Sequence, residues 1–266
     1  SQQFEEIEDE DGFPCEDLPA VEKWIKSKWK EAIARGKKVE ALNFTTYGAS
    51  LIYLDEHSQR LAPLYNYLKP FPPALLADFR KRNDTNDNIE IETSSPLFGM
   101  LNSGLQFFRL KNSHPQLWDK VKWALHFPNY LHFLFTGKAV TEITSIGCHT
   151  AMWNFEKNNY HDWLSQDGIV EKLPPIASPN RPFNRLNHVR IGPGLHDSSA
   201  ALIPYLKQFK KPFVLVSSGT WCISLNPFAT KPLTVEEMSK DCLHYLSPEG
   251  KPVKAARMFL GNEHDY

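Results

Sequence analysis

Cysteine is scarce and scattered: Cys15, Cys148, Cys222 and Cys242 are the only four in 266 residues. No Cys-x-x-Cys pair and no Cys/His zinc spacing occurs. A disulfide framework and a structural zinc module are thereby excluded, and the four read as reduced thiols in the core or lining a site. Long apolar runs are missing too. Phe213-Val-Leu-Val216 is strand-sized, far short of the roughly 20 residues a spanning helix needs. The N-terminus has an acidic run at residues 5–11 where a secretory signal would be basic, so the cytoplasm is the expected compartment. An excess of either charge is also lacking. With 30 basic and 31 acidic residues the net charge is −1, which gives no global field toward nucleic acid or an anionic membrane. Neither Gly-x4-Gly-Lys-[Ser/Thr] nor Gly-x-Gly-x-x-Gly is present, which excludes a P-loop enzyme and a protein kinase.

What is present is an ordinary globular composition, 41% hydrophobic, 12% aromatic and 23% charged, in a chain long enough for one large domain or two medium ones. Residues 16–34 carry apolar positions near helical spacing and stop at Gly36, so a helix is predicted there. Residues 39–44 and 50–54 read as two strands around the polar, glycine-containing loop Thr45-Thr-Tyr-Gly-Ala49. Residues 101–110, 115–127 and 128–135 read as three successive helices, with Pro115 and Pro128 at helix starts. A proline-rich stretch at 174–182 separates this aromatic part from the C-terminal remainder, and the domain boundary is placed near 186–190. Beyond it come a glycine loop, a helix over 199–209, a buried-type strand over 213–216 and the loop 217–221. This pattern suits an α/β domain with a ligand at strand ends.

Two segments carry chemistry. Gly192-Pro-Gly-Leu-His-Asp-Ser-Ser-Ala-Ala201 sets Asp197 at the end of a glycine-containing loop, just before a helix start. A carboxylate fixed there can take the proton of a hydroxyl that is to be phosphorylated. Taken alone, such an Asp is more often a helix N-cap, and the adjacent His196 a packed histidine. Val214-Leu-Val-Ser-Ser-Gly-Thr-Trp221 runs a strand into hydroxyls around one glycine. Ser217, Ser218 and Thr220, with amides opened by Gly219, can surround phosphate oxygens; a plain hairpin turn is the competing reading. Tyr47, Trp153 and Gln106 are candidates to pack on a ring or line a cleft, Tyr47 first because it adjoins Gly48. The acidic run at 8–16 reads by itself as a solvated face.

In order and residue type these segments resemble the FGGY carbohydrate kinases, closest to the rhamnulokinase and fuculokinase branch, in which a His-Asp run before a helix is followed by a strand entering Ser-Ser-Gly-Thr-Trp. The resemblance extends upstream through Leu101-Asn-Ser-Gly-Leu-Gln-Phe-Phe-Arg-Leu110, Pro128-Asn-Tyr-Leu-His-Phe-Leu-Phe-Thr-Gly137, Glu142-Ile-Thr-Ser145 with His149-Thr150, and Thr46-Tyr-Gly-Ala-Ser-Leu-Ile-Tyr-Leu-Asp55. It implies an α/β, ribonuclease H-like fold of the actin/hexokinase type with two domains, incomplete at both ends. Residues 1–188 would be the sugar-side N-terminal domain without its first phosphate hairpin, and residues 189–266 the start of the nucleotide-binding domain. It further implies Asp197 as catalytic base, Gly48, His196 and Ser198 at the sugar, and Thr220 at the nucleotide phosphates; by their local pattern Tyr47 joins the sugar residues and Ser218 and Gly219 the phosphate residues. For the acidic run at 8–16 a loop leading toward the site is the equal alternative, implied only by this resemblance.

The implied cofactors are ATP and Mg²⁺, with no protein ligand to the metal assigned. The implied partner is a small-molecule ketose or deoxyketose of the rhamnulose, fuculose or xylulose kind, with no nucleic acid or membrane partner; a homodimer is left open. A polyol such as glycerol is the alternative acceptor, and a catalytically inactive sugar-binding protein of the same fold is the alternative class. Ser50 stands where rhamnulokinase has an acidic residue, and Met258 where it has an asparagine touching the nucleotide.

Overall fold

The structure, a computed structural model, describes residues 2–36, 38–83, 88–177, 184–218 and 221–259. Its longest helix, Leu18–Ala34, begins two residues later than the apolar spacing predicts, because the Asp17 carboxylate caps it by accepting from the Ala20 amide at 3.0 Å. Leu18 and Val21 are buried, and Ile25 and Trp29 pack beside them against the core formed with Ile52, Leu125 and Leu131. Gly36, at φ +67, follows its end.

The polar loop after this helix is held by two parallel pairings that span about 150 residues of sequence. Ala41–Leu42 pairs with Val189–Ile191, and Thr45–Thr46 with Leu195–His196, in the register Thr46↔His196. Parallel strands leave their sheet at the same end, so the segment entering Gly48 and the segment entering Asp197 emerge side by side. This is the edge at which α/β folds collect ligands. The strand Asn184–Leu186 pairs antiparallel with Val189–Ile191. The predicted boundary between residues 188 and 189 therefore falls at the turn of a hairpin, and the chain leaves the first part's strands only after His196.

Leu51–Leu54 is fully buried and pairs antiparallel with Trp123–His126. This corrects the helix predicted over 115–127. Helix persists only over Pro115–Trp118, after which Trp-Ala-Leu-His is taken by the apolar neighbour strand, a tertiary preference that overrides local propensity. The helices Ser103–Ser113 and Phe127–Thr136 match their predicted places to within a few residues, and the second ends on Gly137 in the left-handed conformation.

After the helix Asp197–Gln208 comes an antiparallel four-stranded sheet in the order Leu215–Ser217, Trp221–Asn226, Pro252–Phe259, Cys242–Leu246. Leu202 of the helix is buried against Ile223, Leu225, Leu243 and Val253 of this sheet. The strand predicted over 213–216 is not buried: Val214 is 57% and Val216 60% exposed, because Leu215–Ser217 is an edge strand with one neighbour. The two parts are bonded together. The His244 amide donates to the Ser94 carbonyl at 3.3 Å and the Leu246 amide to the Gly147 carbonyl at 3.1 Å; within the second part, the Ser199 hydroxyl donates to the Leu246 carbonyl at 2.8 Å. No described helix is long and apolar enough to cross a membrane.

Gly194 is the tightest backbone position in this frame. Its φ is +85, and a Cβ there would lie 2.2 Å from the Pro128 carbonyl oxygen. Gly194→Ala is expected to cost about 2–5 kcal/mol, combining the left-handed penalty with overpacking. Gly137→Ala, at φ +65 with open space around it, should cost only about 1–2 kcal/mol. Equal losses in urea denaturation would contradict this placement of the 192–194 loop.

Candidate active site

The loop carrying Asp197 is immobilised before it reaches the site. Three polar groups of the first part bind its backbone: His132 Nδ1 donates to the Gly192 carbonyl at 2.7 Å, Asn129 Nδ2 to the Pro193 carbonyl at 2.9 Å, and the Gly194 amide donates to Asn43 Oδ1 at 2.9 Å. Next, the His196 amide donates to the Thr144 hydroxyl at 3.0 Å, and that hydroxyl donates to Glu142 Oε2 at 2.6 Å. The Glu142 carboxylate also accepts from the Thr144 amide at 2.7 Å and the Ser145 amide at 2.6 Å, capping the short helix Ile143–Ile146. Burial raises the Glu142 pKa, and these donors act in the opposite direction.

His196 is buried and precedes the helix, while Asp197 is its first residue. Asp197 Oδ1 accepts from the Ser198 amide at 2.5 Å and the Ser198 hydroxyl at 3.2 Å, and lies 3.4 Å from His196 Nε2. The helix-cap position belongs to His196, which makes no side-chain cap bond. The Asp197 side chain remains about half exposed. Burial lowers the pKa of His196, with the neighbouring Asp197 carboxylate acting against that shift. The imidazole is therefore kept toward its neutral form.

A cavity of about 520 Å³ opens at this point, between the first part and the four-stranded sheet. Of the residues singled out from sequence, it brings together Tyr47, Gly48, His196, Asp197, Ser198, Ser217 and Ser218. Gly48 is required for the approach: a Cβ there would lie 3.0 Å from the His196 ring and 2.9 Å from Cys148 Sγ. Tyr47 packs on Tyr67 and Phe127 at 5.5 and 5.6 Å. Ser217 and Ser218 stand at the end of Leu215–Ser217, which pairs antiparallel with Trp221–Asn226, and line the cavity. Gly219 and Thr220 lie outside the described residues.

Other sequence candidates are placed elsewhere. Trp153 is a core residue against Tyr160, and Gln106 is buried with its amide donating to the Met100 carbonyl at 2.6 Å. Ser50 is buried and donates to the Tyr65 carbonyl at 3.0 Å. Met258 is exposed and does not line the cavity. The acidic run forms the hairpin Glu6–Glu8 with Pro14–Glu16 and does not line the cavity. It is not a free solvated face either, since Lys69 Nζ is 2.6 Å from both Asp9 and Asp11, and Arg109 is 3.0 Å from Asp11. Burial opposes ionisation of Asp9, but the Lys69 hydrogen bond and the Phe13 and Asp11 amides hold its carboxyl below the usual range.

Sequence reasoning missed His149, Tyr245 and Arg257 as site residues, and all three line the cavity. The His149 and His196 rings lie edge-on to Tyr245 at 5.9 and 5.2 Å. Arg257 stacks over Phe98 at 3.9 Å and reaches Asp241 at 3.5 Å. The adjacent Cys148 and His149 in the serine/threonine-rich segment were the available signal for one side of this wall. Arg257 had none, because one arginine in an alternating strand is the usual surface residue.

No family model matches the chain. Over 231 residues it is 26% identical to a rhamnulokinase of Oceanobacillus iheyensis, covering 81% of this chain and 47% of that protein. Its fold superposes on the crystal structure of a carbohydrate kinase from Novosphingobium aromaticivorans with a TM-score of 0.79 and 26% identity, covering 97% of this chain and 58% of that one. It also superposes on a ligand-bound xylulose kinase from Lactobacillus acidophilus with a TM-score of 0.77 and 17% identity, over 96% and 53%. The chain thus spans about half the length of the curated relatives it matches.

The link between Glu142 and the loop can be tested by stability. Thr144→Val removes the hydroxyl shared by Glu142 and the His196 amide, and is expected to destabilise by about 1–3 kcal/mol. A loss below about 0.5 kcal/mol, the scale of an inert surface change, would contradict the link.

A pH dependence is expected from His126, which is buried and hydrogen-bonded to Ser103 at 3.0 Å. Burial, then the neighbouring His196 and His149, lower its pKa from 6.5 to about 3. The unfolded state binds the proton first, so stability is full above pH 6.5 and falls as pH drops toward 3. Between pH 6.5 and 5 this one group removes on the order of 2 kcal/mol. In His126→Gln the slope of unfolding free energy against pH should flatten by about one proton over that window; an unchanged slope would refute the assignment.

Proposed function

We propose that this chain, an FGGY-type carbohydrate kinase in sequence and fold, carries the acceptor side of phosphoryl transfer from ATP to a hydroxyl of a ketose or deoxyketose, with Asp197 as general base. One observation carries the reading: the loop after Thr46 and the loop after His196 meet in a single cavity that Ser217 and Ser218 also line. Among the described residues that line it, Asp197 is the only carboxylate and Arg257 the only permanent cation. Tyr47, Tyr67, Tyr245 and Trp221 supply apolar faces with polar edges, a lining suited to a neutral polyhydroxyl compound.

The donor set fits a triphosphate on one side only. Ser217 and Ser218 offer hydroxyls at the end of their strand, the kind of group that holds phosphate oxygens. Mg-ATP, when bound, supplies the phosphoryl group and offsets its charge. The rest falls to the chain. Tyr47, Gly48 and His196 would fix the sugar so that its acceptor hydroxyl lies against Asp197. The carboxylate would take the hydroxyl proton, which raises the nucleophilicity of the oxygen as it attacks. His196, kept toward neutrality by burial, can donate or accept a hydrogen bond to the sugar without adding a charge that would pair permanently with Asp197. The Glu142–Thr144 link would hold this constellation still, and pre-set orientation is the larger part of what such a site contributes.

In the full-length protein, assayed against ketoses and glycerol in parallel, Asp197→Asn is expected to lower turnover about 10²- to 10⁴-fold. Asparagine keeps the size but gives up a charge at a helix N-terminus, so stability should change by at most about 1 kcal/mol. A variant that melts several degrees lower yet turns over near the wild-type rate would make Asp197 a structural residue. Wild-type protein that binds ketoses but transfers no phosphoryl group would favour the inactive sugar-binding reading.

A further inference from the structure

The inner wall of the cavity holds a donor set of which the proposed phosphoryl transfer uses only His196. One ligand atom each from Cys148, His149 and His196 lies within 4.8 Å of the others. We propose that these three side chains bind one soft divalent cation, of which Zn²⁺ is the physiological representative, with Asp197 or a water completing a tetrahedron.

The chemistry of the set supports this. A thiol and two imidazoles suit zinc, cobalt or copper and do not suit Mg²⁺, which takes hard oxygen donors. The site is therefore distinct from any magnesium carried by ATP.

The geometry supports it in three ways. First, the tautomer of His149 is set: its Nδ1 lies 2.8 Å from the Leu101 carbonyl, which can only accept. Nδ1 thus carries the proton and Nε2 keeps its lone pair, as in metal sites where a second-sphere carbonyl orients the ligand. Second, His196 Nδ1 is buried without a hydrogen-bond partner, and His196 Nε2 lies 3.4 Å from Asp197 Oδ1, so the fourth donor is within reach. Third, space is preserved between the donors. A Cβ on Gly48 would sit 2.9 Å from Cys148 Sγ and 3.1 Å from His196 Nε2, and glycine leaves that volume open.

Donors around tetrahedral zinc stand about 3.5 Å apart, so no pair of the three needs to close by more than about 1.3 Å. On binding, the Cys148 S–H bond breaks, its proton goes to solvent, and the sulfur gives up its hydrogen bond to the Ser145 carbonyl at 3.3 Å. An ion there would occupy His196 and Asp197 together. Metal binding stands on these donors alone; its consequence, inhibition in competition with the sugar, rests on the function proposed above.

The test is titration of the full protein, stripped of metal, with Co²⁺ as a spectroscopic probe. One equivalent should give the intense visible bands of tetrahedral cobalt and a near-ultraviolet thiolate charge-transfer band. Cys148→Ser should lose the charge-transfer band. His149→Gln, at a half-buried position where folding is less exposed to failure, should weaken Co²⁺ binding by at least about 10-fold, the loss seen even for outer-sphere partners. Cys222→Ser, at a cysteine outside the cluster, should change neither. Octahedral spectra only, or a thiolate band that persists in Cys148→Ser or disappears in Cys222→Ser, would overturn the site. Tetrahedral binding that leaves sugar phosphorylation untouched would uphold the metal site and count against the sugar-site reading of the cavity.

Discussion

The candidate site depends on one buried carboxylate. Glu142 accepts three hydrogen bonds from Thr144 and Ser145, and through the Thr144 hydroxyl it fixes the backbone of His196. A buried carboxyl group is costly unless its oxygens are hydrogen-bonded, and here they are bonded by a helix start and a hydroxyl that the helix itself supplies. The network therefore stands or falls as a unit. Its product is a rigid approach for Asp197, whose own side chain stays accessible.

The second constraint is topological. Two short parallel pairings, each only two residues long, bring position 46 opposite position 196. Such pairings contribute little by themselves. They persist because the 192–194 loop is bound from three sides by Asn43, Asn129 and His132, and because Gly194 lets the backbone touch Pro128. The same device recurs at Gly147, where a Cβ would lie 2.4 Å from Leu246 and where the four-stranded sheet docks. Glycines at close backbone approaches, rather than glycines in flexible turns, set the shape of the cavity.

Much of this is legible in the sequence, but unevenly. Asp197, Gly48 and Ser218 each stand in a local pattern whose chemistry is readable: an acid before a helix, a glycine in a polar loop, hydroxyls after a strand. Their meeting in one cavity is not readable from spacing, since it depends on pairing across some 150 residues, and only family resemblance points to it. Trp123–His126 reads as helix because an apolar segment of that length has no period of its own, and its neighbour Leu51–Leu54 decides its state. Val214 and Val216 look like core residues in sequence, yet lie at an edge strand. Glu142, the residue that anchors the site, stands out in sequence only as part of a motif, because a buried glutamate is indistinguishable from a surface one until its donors are known.

The proposed chemistry requires that the sugar's acceptor hydroxyl lie against Asp197, in the cavity that Gly48 and His196 share. A crystal structure of the full-length protein with the ketose that it phosphorylates fastest would decide this. The acceptor oxygen is expected within about 2.6–3.2 Å of an Asp197 carboxylate oxygen, with the sugar ring against Tyr47 and the Gly48 backbone. A sugar bound in this protein with its acceptor hydroxyl beyond hydrogen-bond and single-water reach of Asp197, or bound outside this cavity, would contradict the assignment.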